Sequence, residues 1–190
     1  MLGLDRRGRA KAAALAALAG YVDAVGFIGS GGFFLSFMSG NSTRLAVGTA
    51  ERAAWVLLPL ALILAFVVGV MLAEGRRRIL LQVALLLAAG ALLAPHVRWL
   101  ALLLVAMAMG AENLVFASGK DVSFGLTYMT GTLVKLGQRL RRGEWAQSAP
   151  LLLHWLCLMA GALLGALLWP HLRFDALWLA VAVALLLSMV

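Results

Sequence analysis

Residues 33–50 read FFLSFMSGNSTRLAVGTA and residues 124–140 read FGLTYMTGTLVKLGQRL, and the relation between these two stretches decides the fold. Phe37-Met38-Ser39-Gly40 matches Tyr128-Met129-Thr130-Gly131 at an offset of 91, and Arg44-Leu45 matches Lys135-Leu136 at the same offset. Just upstream, Gly20 and Asp23 match Gly110 and Asn113 at an offset of 90; downstream, Gly69 and Gly165 align at 96. The matches keep their order along the chain, as a tandem duplication leaves them. A single domain of 190 residues therefore divides into halves, 1–94 and 95–190. Each half reads as a long apolar helix, a short polar helix and two more long apolar helices.

The surroundings of the two polar stretches place them in a membrane. The chain is 64% hydrophobic and 13% charged, with a mean hydropathy of +0.99. Ordinary globular domains are about 45–50% apolar and about 25% charged. Six segments are long and apolar enough to span a bilayer, at roughly 11–29, 53–73, 79–94, 99–118, 149–169 and 173–190. They are continuous Leu/Ala-rich runs without the alternation that barrel strands need. Helices satisfy their own backbone hydrogen bonds in lipid, so a helical bundle is the expected architecture. The first twenty residues have the basic start and apolar stretch of a signal peptide. They also belong to the repeat, and are expected to be kept as the first helix.

The net charge of +8 sits in short basic clusters beside apolar spans, as in cytoplasmic loops. No basic face or aromatic platform favours nucleic acid. A single cysteine, Cys157, excludes an intrachain disulfide. If the polar helices dip into the bilayer without crossing, each half has three spans and the second half is inverted. The termini are then cytoplasmic, with Arg6, Arg7, Arg9, Lys11, Arg76, Arg77, Arg78, Lys120, Arg139, Arg141 and Arg142. Arg52, Arg98 and Arg173 fall outside. Eight full crossings would put the Arg76–Arg78 cluster outside, against the positive-inside rule. The expected fold class is thus an all-α polytopic membrane protein: six transmembrane helices plus two short re-entrant or partial helices, as two inverted three-helix repeats.

Chemistry is concentrated at the polar turns. Gly29-Ser30-Gly31-Gly32 would weaken a continuous helix by about 1 kcal/mol per glycine, which marks a break. Ser39, Gly40, Asn41 and Thr43 follow it, and Thr130, Gly131 and Thr132 repeat the pattern. These small residues leave backbone N–H groups accessible at helix N-termini, which attract anions. Two such ends meeting in an inverted repeat would form a midplane site of the kind found in secondary transporters. The same residues also suit close helix packing. Asp23, Glu112 and Asn113 lie in the first helix of each half, and Arg44 and Lys135 lie one turn into each short helix. Acids inside a membrane are costly and are functional candidates. Two arrangements are open: ion pairs Asp23–Arg44 and Glu112–Lys135, or a substrate or proton site lined by all of them. His154 and Cys157 share a helix face but lack a third metal ligand. No P-loop, HExxH pair, CxxC motif or Ser/His/Asp set supports an enzyme or a cofactor.

The run Gly20-Tyr21-Val22-Asp23-Ala24-Val25-Gly26-Phe27, then Gly31-Gly32-Phe33 and Ser36-Phe37-Met38-Ser39-Gly40-Asn41, resembles the YoaK family of bacterial inner-membrane proteins. Thr127-Tyr128-Met129-Thr130-Gly131-Thr132-Leu133-Val134-Lys135-Leu136-Gly137 is similar to its second motif. The resemblance covers nearly the whole chain and implies an inner-membrane location, but no substrate. Gly69–Arg78 is also similar to the basic loop after the second helix of major-facilitator transporters, and that analogy implies a homodimer. The leading expectation is a secondary transporter or channel for a small solute, anions among the candidates. The competing one is a non-transporting assembly or sensor protein that uses the polar motifs only for packing.

Overall fold

A computed structural model describes residues 5–116 and 126–189, and within them the regular structure is helical throughout. The elements are α1 (Arg6–Ser30), α2 (Met38–Ala50), α3 (Leu57–Leu72), α4 (Arg76–Leu93), α5 (Arg98–Glu112), α6 (Met129–Arg141), α7 (Trp145–Leu172), a 3₁₀ turn (Arg173–Ala176) and α8 (Leu177–Met189). Residues 1–4 and Lys120, the span end at 117–118, the start of the polar stretch at 124–125, and residue 190 lie outside the described residues.

Helix α1 starts before residue 11 because Asp5 caps it, accepting the Gly8 N–H at 2.8 Å. It runs through Gly29 and Ser30 and ends where Gly31 turns left-handed at φ 80°. The Gly31 N–H donates to the Ile28 carbonyl and the Gly32 N–H to the Phe27 carbonyl, closing the last turn as a glycine C-cap does. The break falls within the expected Gly29–Gly32 stretch, at its last two glycines. The short polar helices start later than expected: α2 at Met38 rather than 33, and α6 at Met129. The chain between Ser30 and Met38 is irregular, and its polar backbone has to be satisfied by side chains.

Helix α1 packs along α7, α3 along α5, and α4 lies against both α5 and α8. Bare backbone makes the first two contacts. A Cβ at Gly20 would overlap the Leu158 carbonyl, and one at Gly161 would overlap that of Ala17. Across the α3–α5 contact, a Cβ at Gly69 would strike the Met107 carbonyl and one at Gly110 that of Phe66. Small residues at these crossings let helix axes approach closely, the usual geometry of helix pairs in lipid.

The stretches Arg6–Ser30 and Trp145–Met189 are long and apolar enough to cross a bilayer, and Leu57–Leu72 is apolar but shorter. Helix α1 is the central element, with 67% of its most apolar window buried, whereas the α7–α8 stretch has 28% buried. Leu57, Met71, Leu85, Leu163 and Leu186 stand on the outside, mostly exposed. Water would penalise so continuous an apolar surface, whereas acyl chains do not.

Candidate functional site

The irregular chain before α2 is held by side chains that reach it from both neighbouring helices. Asp23, buried in the middle of α1, accepts the Leu35 N–H at 2.5 Å and the Ser36 N–H at 2.9 Å. Its other oxygen accepts the Ser36 hydroxyl at 3.0 Å. Asn41, fully buried on α2, accepts the Phe34 N–H at 3.0 Å and donates to the Phe34 carbonyl at 2.7 Å. The Ser30 hydroxyl accepts the Phe33 N–H at 2.9 Å. Short Asx and Ser side chains can take over backbone partners where helix bonds are missing. The chain needs them here because these groups have left α1 and have not yet entered α2.

The second half repeats this grip with neutral groups. Asn113, just past the end of α5, accepts the Thr127 N–H at 3.2 Å and the Thr127 hydroxyl at 3.0 Å. Its amide donates to the Met109 carbonyl at 2.9 Å. Ser36 and Thr127 thus hold equivalent places, each two residues before a short helix. Neither α2 nor α6 has a side-chain cap, because Phe37 and Tyr128 occupy the cap positions. In place of a side-chain cap, the Met38 and Gly40 N–H groups donate to the Ser36 and Phe37 carbonyls, and the Met129 N–H donates to the Thr127 carbonyl.

These two ends share one cavity. A volume of about 500 Å³ is lined by Ser36, Met38 and Ser39 from one side and by Asn113, Thr127 and Thr130 from the other, with Phe66 of α3 between them. Of the sequence candidates, Ser39, Thr130 and Asn113 therefore meet. Gly40 is covered by the Phe34 ring and Gly131 by the Tyr128 ring. The Thr43 and Thr132 hydroxyls donate within their own helices, to the Ser39 and Tyr128 carbonyls. Lys135 is exposed. Sequence reasoning passed over Ser36 and Thr127 as liners, although both stand at the offset of 91 that relates the motifs.

Neither expected ion pair forms. Asp23 is occupied by Leu35 and Ser36, and the Arg44 guanidinium lies 4.2 Å over the Phe33 ring. Among the described residues the ion pair present is Arg139–Glu144, at 3.1 Å. Glu112 is 0% exposed, and both its carboxyl oxygens lack a hydrogen-bond partner. Val105, which packs on Gly90 of α4, lies seven residues before Glu112 and on the same helix face. His154 is buried, with Nε2 3.1 Å from the Leu126 carbonyl, so its ring anchors the approach to α6.

The Asp23 grip yields a prediction. Asp23→Ala leaves two buried N–H groups unmade, each costing about 1–3 kcal/mol, whereas Asp23→Asn keeps a carbonyl acceptor. Unfolding in detergent should show a large loss for alanine and a clearly smaller one for asparagine. Equal losses would mean that the carboxylate acts by charge and not by holding the turn.

The chain is similar to known sequences. A family model described as "Protein of unknown function (DUF1275)" matches residues 11–190. The "UPF0700 transmembrane protein RA0705" of Rhizobium meliloti (strain 1021) is 38% identical over 196 residues, covering 95% of this chain and 84% of that protein. No solved structure matches. Family model, transmembrane relative and apolar helices agree, and the chain is a membrane protein that belongs to the DUF1275 family.

Proposed function

We propose that this protein is a small secondary transporter or channel of the bacterial inner membrane, related to the YoaK group, that moves a small anionic solute through the cavity between α2 and α6. One observation carries this reading: the two duplicated polar turns line a single cavity of about 500 Å³. Two helix N-termini without side-chain caps bring partial positive charge to that space, and Ser39, Thr130 and Asn113 add side-chain polarity. Glu112, next to Asn113 in the chain, supplies an unpartnered ionisable group of the sort that carries coupling protons in transporters.

The same reading takes the fold as six spans with α2 and α6 re-entrant, as two inverted repeats, and with both termini cytoplasmic. Ser36 returns to Asp23, about 10 Å back along α1 from Ser30 at 1.5 Å per residue. By Arg44 the chain has come back to Gly32, where a Cβ would lie 3.0 Å from the guanidinium. A segment that enters and leaves by the same end of α1 is re-entrant. Helices α2 and α6 are each 13 residues long and start at Met38 and Met129. The carbonyls of Ala17 and Met107, 90 residues apart, each receive a glycine of the partner helix. In a background of Cys157→Ser, a cysteine replacing Arg77 should react with a membrane-impermeant maleimide only in inside-out vesicles. Reaction in right-side-out cells instead would favour eight crossings.

Flux tests the function itself. Proteoliposomes should take up radiolabelled small carboxylates or inorganic phosphate above empty vesicles, and Ser39→Trp, which fills the cavity, should reduce uptake at least tenfold, about 1.4 kcal/mol or more on the barrier. If no anion in the panel moves, the transport reading loses its ground. A second reading then stands, because Asp23, Asn41 and Asn113 all spend their side chains on backbone. In that case the polar motifs only lock the bundle of a non-transporting assembly or sensor protein.

A further inference from the structure

Arg44 stands away from the shared cavity. Its guanidinium lies 4.2 Å over Phe33 and 5.1 Å over Trp55, and its Nε is buried with no acceptor. No carboxylate of the described residues pairs with it. It opens instead onto a second cavity of about 680 Å³, whose walls are Trp55, Leu58, Ala61, Trp99 and Leu103. Apart from Arg44 the polar liner is Ser30, whose hydroxyl already serves the Phe33 backbone.

A cation with a desolvated N–H and no counter-charge is costly to keep in a protein, and its natural complement is an anion. A free anion of solute size would find one guanidinium there and an otherwise apolar trough. An amphiphile matches both parts. Tryptophans characteristically sit at the headgroup level, and a guanidinium presents planar, paired donors to phosphate oxygens. Leu57 and Trp99, which also line it, are 71% and 49% exposed, so apolar surface continues from the trough to the outside of the bundle. We propose that this cavity is a binding site for an anionic phospholipid, with the phosphate on Arg44 between Phe33 and Trp55 and an acyl chain along Leu58, Ala61 and Leu103. The site also ties lipid to the polar turn, because the Arg44 guanidinium, Phe33 and Gly32 meet at its head. The proposal is independent of whether a solute crosses the protein.

The test is native mass spectrometry of the full-length protein in detergent, titrated with phosphatidylglycerol or phosphatidylcholine, together with thermal unfolding in each lipid and in inorganic phosphate. Wild type should bind phosphatidylglycerol about fivefold more tightly than phosphatidylcholine, the effect of one basic residue on an anionic lipid. Arg44→Gln should abolish that preference, and Arg142→Gln, at the exposed end of α6, should keep it. Ala61→Phe, which fills the trough and leaves the cation, should weaken phosphatidylglycerol binding. Equal wild-type affinities for the two lipids overturn the proposal whether or not the Arg44 variant folds. So does a preference that survives Arg44→Gln. Equal stabilisation by inorganic phosphate would reassign the cavity to a free anion.

Discussion

Gly161→Leu is expected to abolish the monodisperse, thermally cooperative state of the protein in detergent. The cause is local: a Cβ at Gly161 would coincide with the carbonyl of Ala17, a backbone atom that no rotamer change can move. Even Gly161→Ala forces α7 away from α1, and since overpacking typically costs about 1–3 kcal/mol where side chains can yield, the alanine variant should fall at or beyond the upper end. Gly110→Ala, against the Phe66 carbonyl, should behave alike across the α3–α5 contact. Gly137 supplies the opposite sign. It lies inside α6 with nothing within 4 Å of its would-be Cβ, so Gly137→Ala should stabilise by about 1 kcal/mol. Unfolding midpoints decide the matter; unchanged stability in Gly161→Ala would show that α1 and α7 do not meet on glycine.

These glycines also show where the sequence was readable. The apolar runs announced membrane helices because lipid selects composition directly. The duplicated Met-Ser/Thr-Gly turns announced equivalent short helices because the motif carries its own spacing. The partner of Asp23 was not legible. The polar stretch was read as helical from Phe33, and in a helix the Leu35 and Ser36 N–H groups would need no side-chain acceptor. Once those residues are irregular, an acid two turns back along α1 becomes their partner, and Arg44 is left to the aromatic rings of Phe33 and Trp55. Charge complementarity suggested Asp23–Arg44, and backbone satisfaction outweighed it, because an unmade buried hydrogen bond costs more than a missing ion pair gains. The signal that was present is the cluster Ser30, Asp23, Ser36 and Asn41 around a bulky Phe-Phe-Leu run. Asx and Ser residues gather where backbone leaves regular structure.

Glu112→Met is expected to raise stability while removing function, and that pairing distinguishes a working carboxyl group from a structural one. Asp23 and Glu112 looked alike as acids within the first helix of each half, but their surroundings differ. Asp23 accepts three hydrogen bonds, and Glu112 accepts none while being fully buried. None of the described side chains on the elements packed against α5 hydrogen-bonds to it. Helix α3 has no ionisable residue, α4 has Arg76, Arg77 and Arg78 in its first turn, and α1 has Asp23 and Tyr21 beyond its basic start. Tyr21 donates to the Ala176 carbonyl. An acid at the centre of a membrane helix costs about 2.5–3.5 kcal/mol on insertion scales, so an unbranched apolar replacement of similar volume should recover roughly 2–3 kcal/mol. Active sites keep such destabilising groups where the chemistry needs them. In proteoliposomes that take up an anion, Glu112→Met should abolish the response of uptake to an imposed pH gradient, and Glu112→Asp should retain part of it. A destabilised Glu112→Met protein would mean that the carboxyl group has a partner and holds the fold. A stabilised variant with undiminished, pH-responsive uptake would remove Glu112 from the mechanism and leave the α2–α6 cavity to act without it.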